Sequence, residues 1–359
     1  METQPASILC KLVLRASTRR WLFLILLAIS MIFSGCLSAT PTITPGPLTT
    51  PTPTPLPTAT PTPQPLGHPT NPLIFGVVAF EDQPDVAESA TRLAEQLTEK
   101  TGLSVQSLPV DSYQALLKEL GARKVHIAWL PPLTYLFASQ HGLARAALLA
   151  SHFGVYLYGT QFLANASSGF TIYFDPVRGV NLADASVALS QFDGRRPCWV
   201  DSTSASGYLV PAGLLALHGI HTTEPAFTRS HAGVVRSLYV QGICDFGATF
   251  SISGDPRTAS AVLNDLPDAL QRIPILWRSD PIIPNVNLAL ITGLPESTEK
   301  QLVDAFLEIA SSPEGLALLS SSAGEYQIEA LKPIDDPLYD PLREVLDALQ
   351  VNLNELIGK

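Results

Sequence analysis

Residues 197–211 of this 359-residue chain, PCWVDSTSASGYLVP, indicate its architecture. Residues 197–200 are mainly apolar and β-prone, and they predict a short buried strand. Hydroxyl residues and Gly207 follow, and an apolar pattern of helical spacing continues to Gly219. A strand that passes through a polar turn into a helix is a building unit of α/β sheets.

The same alternation extends on both sides of this stretch. Short apolar runs predict further strands at residues 73–80, 104–110, 124–130, 156–164, near 227, 244–250, 273–277 and 286–291. Helical patterns end at Gly102, at Gly121 (in a helix that we expect Asp111 to cap) and at Gly242. Two amphipathic helices begin near Ser297 and Asp340. Because short buried strands that alternate with helices form parallel pairs, we expect mostly parallel sheets.

The length exceeds the roughly 250 to 300 residues that one hydrophobic core supports, and the absence of a short repeat excludes a solenoid. We therefore expect an α/β fold of two mixed lobes joined by two crossing strands, with a cleft between them. Lobe one is assigned residues 73–163 plus 287–359, and lobe two residues 164–286. The C-terminal tail is expected to pack on lobe one.

Composition sets limits on the partners of the chain. Its residues are 46% hydrophobic and 15% charged, which provides for a sizeable core. The 22 Lys and Arg residues against 32 Asp and Glu residues give a net charge of −10. This charge argues against a nucleic-acid partner, because such binding depends on clustered basic residues.

Residues 1–35 have the layout of a secretion signal. Basic residues up to Arg20 precede an uncharged apolar run at 21–33, and Ser34 and Gly35 follow before Cys36. The run is shorter than the roughly 20 residues of a membrane-spanning helix, so a permanent transmembrane anchor is the weaker alternative. Phe33-Ser34-Gly35-Cys36 resembles the bacterial lipobox, with Phe33 in place of the usual Leu. The resemblance implies acylation of Cys36 and an outward-facing lipoprotein held on the cell membrane.

Residues 36–72 are expected to form a tether. The segment 41–72 contains 12 Pro and 10 Thr in 32 residues and no Asp, Glu, Lys or Arg. Such a composition cannot bury a core and favours extended polyproline II at ~3.1 Å per residue. The folded part then retains two cysteines, Cys198 and Cys244. Outside the cytoplasm they are expected to form a disulfide, with two buried free thiols as the alternative.

The turn at residues 201–207 is the main candidate binding site. The first turn of a helix carries unpaired N–H groups and about half a positive charge, so it can hold an anion without Lys or Arg. Ordinary helix capping by Ser or Thr is the alternative explanation of the same residues. No spacing of His or Cys indicates a metal site, and no cofactor is expected.

Six stretches in order along the chain resemble the substrate-binding proteins of phosphate, phosphite and phosphonate ABC importers. They are FGVVAF at 75–80, HIAWLPPLTY at 126–135, the turn at 201–207, SHAGVV at 230–235, CDFGAT at 244–249 and Pro284-Asn285. The resemblance implies a periplasmic-binding-protein type II fold. It also implies a monomer that delivers a small oxyanion to an ABC permease and ATPase complex.

The resemblance also implies which residues bind the ligand. In the family, the turn at the helix start and a later His hold the phosphonyl oxygens, which assigns Thr203, Ser204, Ala205 (through its N–H), Ser206 and His231 here. Ala205 stands where the family has a hydroxyl residue. Aromatic residues of the first lobe close over the organic part of the ligand, which assigns Phe80 and Trp129, with Tyr135 behind them. Core packing is the alternative role for all three aromatic residues.

Two carboxylates that bind an ammonium group in aminoalkyl phosphonate binders are missing. The chain has Val286 at one of these places and residues 250–253, FSIS, at the other. Because burial of an unpaired ammonium group costs several kcal/mol, we expect phosphate, phosphite or a phosphonate without an amine.

Two other functions remain open at this stage. A serine hydrolase would use Ser206 as nucleophile, His231 as base and Asp245 as orienting group, although no Gly-x-Ser-x-Gly elbow surrounds the serine. A sensor protein of the same fold would bind the same ligand and report to a membrane kinase.

Overall fold

The computed structural model describes residues 64–357 except Pro84 and Glu325. The expected signal segment, the Cys36 lipidation site and most of the tether therefore lie outside the described residues. Among the helices that are described, none is both long and apolar enough to cross a bilayer.

The described chain alternates strands and helices. The strands are β1 (Leu73–Val78), β2 (Val105–Val110), β3 (Ile127–Leu130), β4 (Ala144–Ser151), β5 (Leu157–Ala164), β6 (Phe174–Asp175), β7 (Val180–Asn181), β8 (Pro197–Trp199), β9 (Ala226–Phe227), β10 (Phe246–Ser251), β11 (Ile275–Arg278), β12 (Ile283–Pro284), β13 (Asn287–Ile291) and β14 (Ala330–Pro333). The α-helices are α1 (Asp85–Thr101), α2 (Tyr113–Gly121), α3 (Pro132–Gln140), α4 (Ala185–Leu189), α5 (Val210–Leu217), α6 (His231–Val240), α7 (Ser260–Leu263), α8 (Ala269–Arg272), α9 (Glu296–Ile309), α10 (Pro313–Ser322), α11 (Asp340–Ala348) and α12 (Leu353–Leu356).

Lobe one is built on a six-stranded sheet with the order β14-β4-β13-β3-β1-β2. β1 pairs in parallel with β2 and β3, whereas β13 is antiparallel to β3 and β4, and β14 is antiparallel to β4. The apolar faces of α1 and α9 pack on β1, so that Phe75, Leu93 and Phe306 share one buried cluster.

Lobe two is built on a sheet with the order β11-β5-β10-β8-β9, and β12 also pairs with β5. β8 is parallel to β9 and β10, whereas β5 is antiparallel to β10, β11 and β12. Cys198 in β8 and Cys244 before β10 are joined by a disulfide with a Cα–Cα distance of 5.6 Å.

The expectation of mostly parallel sheets is wrong, because both sheets are mixed. β5, which enters lobe two, is antiparallel to β10, β11 and β12, and β13, which returns to lobe one, is antiparallel to β3 and β4. The first crossing lies between Ser151 and Leu157, since all of β5 pairs within the second sheet. The range 73–163 assigned to lobe one therefore includes a strand of lobe two. The second crossing lies between Pro284 and Asn287.

The C-terminal tail contacts both lobes, and not lobe one alone. β14 is an edge strand of the first sheet, but α11 packs on α5 of lobe two. A Cβ atom added to Gly213 in α5 would lie 2.3 Å from the Val345 carbonyl oxygen in α11, so the two helix backbones approach closely. Leu209, Val210 and Leu342 share one buried cluster as a result.

Candidate functional site

The turn after β8 begins a helix with a wide first turn. Ala205–Leu209 is π-helical, and the N–H groups of Tyr208 and Leu209 both donate to the Ser204 carbonyl, at 3.1 and 3.0 Å. Single π-helical turns occur frequently at functional sites. Ser204 Oγ accepts the Gly207 N–H at 3.1 Å, which leaves its own hydroxyl proton free to donate. The N–H groups of Ala205 and Ser206 belong to the first turn, where no carbonyl of the same helix can reach them.

Gly207 allows this turn to fold back on the strand. A Cβ atom at this position would lie 2.3 Å from Val200 Cγ2, and the Val200 N–H donates to the Gly207 carbonyl at 3.1 Å. A side chain here would push the turn away from the end of β8. The glycine of the serine-rich stretch therefore positions the serines beside it.

Ser206 is buried against the crossing strand β5. It is 4% exposed, and its carbonyl accepts the Thr160 hydroxyl at 2.8 Å. Thr160 is opposite Phe250 in β10, and the Phe250 ring packs edge-on against the His231 imidazole at a centroid distance of 4.8 Å. A chain of contacts thus connects Ser206 to His231.

His231 opens α6 at the same end of the sheet. The two residues that come shortly before it are fixed to the strand that leads into the turn: Thr228 N–H donates to the Trp199 carbonyl at 2.9 Å, and Arg229 N–H to the Val200 carbonyl at 2.7 Å. His231 Nδ1 is buried and has no hydrogen-bond partner in the described part of the chain. Burial lowers the pKa of the imidazole from 6.5 to about 4, and the charge of Asp201 partly opposes this shift.

Thr203 has a different role from its neighbours. It is exposed, and Asp201 Oδ1 accepts both its N–H, at 2.8 Å, and its hydroxyl, at 2.7 Å. Its polar groups therefore stabilise the loop. The structure brings Ser204, Ala205, Ser206 and His231 to one end of the lobe-two sheet. The polar groups of Thr203 are instead hydrogen-bonded to Asp201.

The lobe-one residues face a cavity of about 600 Å³. Phe80 is 44% exposed at its wall and packs edge-on against Tyr113 at 6.5 Å. Trp129 also lines the cavity, although it is buried, and its Nε1 donates to Ser322 Oγ at 3.1 Å. Tyr158 of β5, Pro284 of β12 and Asn285 of the second crossing also belong to the wall.

Tyr135 lies apart from this cavity. Its side chain is fully buried, packs on Tyr339 at 4.4 Å between ring centroids, and donates from its hydroxyl to Asp336 Oδ1 at 2.5 Å. The structure thus favours the core-packing role for Tyr135, because its hydroxyl is already used inside lobe one.

The arrangement required for a serine triad is not present. Asp245 precedes β10, where its Oδ2 accepts the Arg196 N–H at 2.7 Å. His231 contacts Phe250. Phe250 comes five residues after Asp245, a separation of roughly 16 Å in extended chain. Asp245 therefore cannot orient His231.

The chain matches the family described as "ABC transporter, phosphonate, periplasmic substrate-binding protein" over residues 75–339. The chain belongs to this family. The phosphate-import protein PhnD of Mycolicibacterium smegmatis is 24% identical over 293 residues, which cover 77% of this chain and 85% of the relative. The phosphonates-binding periplasmic protein of Escherichia coli is 24% identical over 252 residues, which cover 69% of each chain.

The solved structure of XAC2383 from Xanthomonas citri bound to chloride ion shares the fold. It has a TM-score of 0.56 and 18% sequence identity, and the match covers 77% of this chain and 97% of that chain. The predicted family and the bilobal type II fold are confirmed. As a member of the phosphonate-binding family, the chain is a substrate-binding component of an ABC transporter with an extracytoplasmic location, and the expectation that it is not an enzyme is confirmed.

Several residues near the family site were not found from the sequence. They are Gln83, Tyr113, Tyr158 and Tyr326 in the cavity wall, and Ser251 at the end of β10, whose buried hydroxyl has no partner among the described residues. Gln83 lies in a loop without periodicity, so no sequence pattern marks it.

The expected cap of α2, Asp111, is wrong. The cap is Ser112, whose Oγ accepts the Ala115 N–H, and Tyr113 of the cavity wall follows it.

Proposed function

We propose that this protein captures a small phosphorus oxyanion between its lobes for an ABC importer and closes by bending at the two crossings. The observation that carries this proposal is the half-site in lobe two. There, first-turn N–H groups and hydroxyls lie at the same end of the sheet as the buried His231 Nδ1, which has no hydrogen-bond partner among the described residues. The ligand is phosphate, phosphite or a phosphonate without an amine.

The half-site binds with neutral donors. The N–H groups of Ala205 and Ser206 and the hydroxyls of Ser204 and Ser206 belong to a helix start, where the helix dipole favours negative charge. An N–H at His231 Nδ1 would donate to a further ligand oxygen. Neutral dipoles fixed in this way stabilise an anion without the cost of burying a countercharge.

The lobe-one cavity supports the exclusion of an amine. No Asp, Glu, Lys or Arg lines it among the described residues, and Val286 is part of its wall. An ammonium group buried here would have no carboxylate partner among the residues that the structure describes. The names of the two relatives, a phosphate-import protein and a phosphonates-binding periplasmic protein, agree with this ligand class.

Closure follows from the connectivity. The two lobes are linked by segments 152–156 and 285–286, and a hinge of few residues is the usual route to domain closure. Closure would bring the ligand held by lobe two against the exposed Phe80 ring and so bury that ring. We further propose that Cys36 is acylated, that the Pro- and Thr-rich tether carries a monomer above the membrane, and that the closed form docks on a permease and ATPase complex.

Calorimetric titration of the full chain with phosphate, phosphite, methylphosphonate and aminoethylphosphonate tests the function. At least one of the first three should bind, and saturation at a hundredfold excess over its Kd should stabilise the protein by about 2.7 kcal/mol. Aminoethylphosphonate should bind more weakly than methylphosphonate.

Two variants localise the binding. Ser206→Ala and His231→Ala should each raise the Kd of the tightest-binding anion by about tenfold, because each substitution removes one hydrogen bond to a charged group. Ser202→Ala is the matched control, because Ser202 is exposed in the same turn. Binding that survives both site variants unchanged would refute the proposed site.

A further inference from the structure

The lobe-one cavity is larger than a phosphorus oxyanion requires. Its volume of about 600 Å³ lies within the range of roughly 300–1,000 Å³ for pockets that bind organic ligands. A tetrahedral oxyanion occupies only a few times the roughly 30 Å³ of a water molecule. An oxyanion held by the lobe-two turn would therefore leave most of this cavity unfilled.

The described part of the cavity wall is rich in aromatic side chains and contains no Asp, Glu, Lys or Arg. Phe80 and Tyr113 form an edge-to-face pair on one side, and Tyr158 and Tyr326 line it elsewhere. Burial raises the pKa values of Tyr113 and Tyr158 to about 12, so both phenols are neutral at pH 7. Aromatic surfaces of this kind pack well against a flat apolar group.

Gln83 adds one specific polar group. Its Nε2 donates to the Gly324 carbonyl at 3.3 Å, which fixes the orientation of the amide. Its Oε1 is then a buried acceptor, and no residue in the described ranges donates to it. A buried acceptor without a partner is unfavourable, and a ligand donor that reaches it would remove this cost.

The cavity and the lobe-two turn adjoin the same strand. Tyr158 lines the cavity, and Thr160, two residues later in β5, donates to the Ser206 carbonyl. Residues two apart in a strand lie on one face and are separated by roughly 6.6 Å. A single ligand can therefore have its anionic end at Ser206 and its organic end in the cavity.

We infer that this protein takes an organophosphorus anion with a bulky, uncharged aromatic substituent that carries a hydrogen-bond donor for Gln83. The inference rests on the proposed function and names the ligand class within it. Inorganic phosphate and methylphosphonate would occupy the turn but would leave the aromatic walls and the Gln83 acceptor without partners.

The test compares related phosphonates by calorimetric titration of the full chain. Benzylphosphonate should bind at least tenfold more tightly than methylphosphonate, because it fills the cavity. Among the ortho, meta and para hydroxybenzylphosphonates, the tightest-binding isomer should have a Kd about five- to tenfold lower than that of benzylphosphonate, because its hydroxyl donates to Gln83.

Gln83→Leu separates the acceptor from the cavity. In this variant the preference for the hydroxyl should disappear, while the preference for benzylphosphonate over methylphosphonate remains. Gln301→Leu is the matched control, because Gln301 is exposed on α9, and it should retain both preferences.

The outcomes distinguish this inference from the proposed function. If methylphosphonate or phosphate binds as tightly as every benzyl compound, the aromatic subsite is refuted while the oxyanion site stands. If the hydroxyl preference is absent, or survives in Gln83→Leu, the role of Gln83 is refuted. If none of the anions binds, the proposed function itself fails.

Discussion

His231 lies between two opposing influences. Burial without a hydrogen-bond partner at Nδ1 disfavours the charged imidazole, and the Asp201 carboxylate favours it. Burial is the larger effect, because the pKa falls from 6.5 to about 4. The imidazole is therefore neutral at pH 7 and offers a single N–H as a donor.

This shift predicts a pH dependence of stability. Between pH 6.5 and about 4 the unfolded chain binds the proton of this imidazole and the folded chain does not. The free energy of unfolding contributed by His231 is therefore fully present above pH 6.5 and falls as the pH is lowered towards 4. His231→Gln should reduce the difference in urea midpoint between pH 7 and pH 5, measured without any oxyanion. His221→Gln, at an exposed histidine of the same lobe, should leave that difference unchanged, and an equal change in both variants would contradict the assignment.

At this scale the sequence predicted residues with local signals. Ser204 and Ser206 are predicted as site residues because a strand, a hydroxyl-rich turn and a helix follow one another. The structure uses Ser204 as the helix cap. Tyr135 could not be placed in this way, since its partner Asp336 is 201 residues away in the chain. Gln83 acquires its significance only from the Gly324 carbonyl, which is equally remote in sequence.

The elements of lobe two are held together by a covalent link beside the candidate site. The disulfide joins β8, which leads into the turn at residues 201–207, to the segment before β10, and the sequence separation is 46 residues. The loop-entropy relation for this length gives a stabilisation of about 4 kcal/mol. The double variant Cys198→Ala, Cys244→Ala should therefore lose about this amount in urea unfolding.

Reduction provides the control for this prediction. A thiol reductant should lower the urea midpoint of the unaltered protein and should not change that of the double variant. If the reductant leaves the unaltered protein as stable as before, the disulfide does not contribute to folding stability.

Elements with clear periodicity were predicted, and those whose partners decide their conformation were not. The predicted strand at 73–80 corresponds to β1, and the helix near Ser297 to α9. β4 was missed because its sequence, ARAALLAS, is rich in alanine, which favours helices. It is extended because β13 and β14 pair with it on both sides, and this pairing exists only in the folded sheet.

At the scale of the whole molecule, the two lobes are coupled at more than the two crossings. The contact of α11 with α5 bridges them, and Gly213 allows the helix backbones to approach. This bridge could not be predicted from the sequence, because an amphipathic pattern shows that α11 has an apolar face but not which lobe receives it. The proposed closure would therefore bend the molecule about the crossings and about this helix pair together.

Hinge closure predicts a measurable change of size. Small-angle X-ray scattering of the full chain should show a smaller radius of gyration when the protein is saturated with the tightest-binding oxyanion than without it. The tether contributes equally to both measurements, so the difference reports on the two lobes. His231→Ala at the same oxyanion concentration should show a smaller decrease, because fewer molecules are occupied, and should recover the full decrease when the concentration is raised to saturation. If the saturated protein keeps its unliganded radius of gyration while calorimetry shows binding, the ligand is held without closure, and α11 acts as a fixed brace between the lobes.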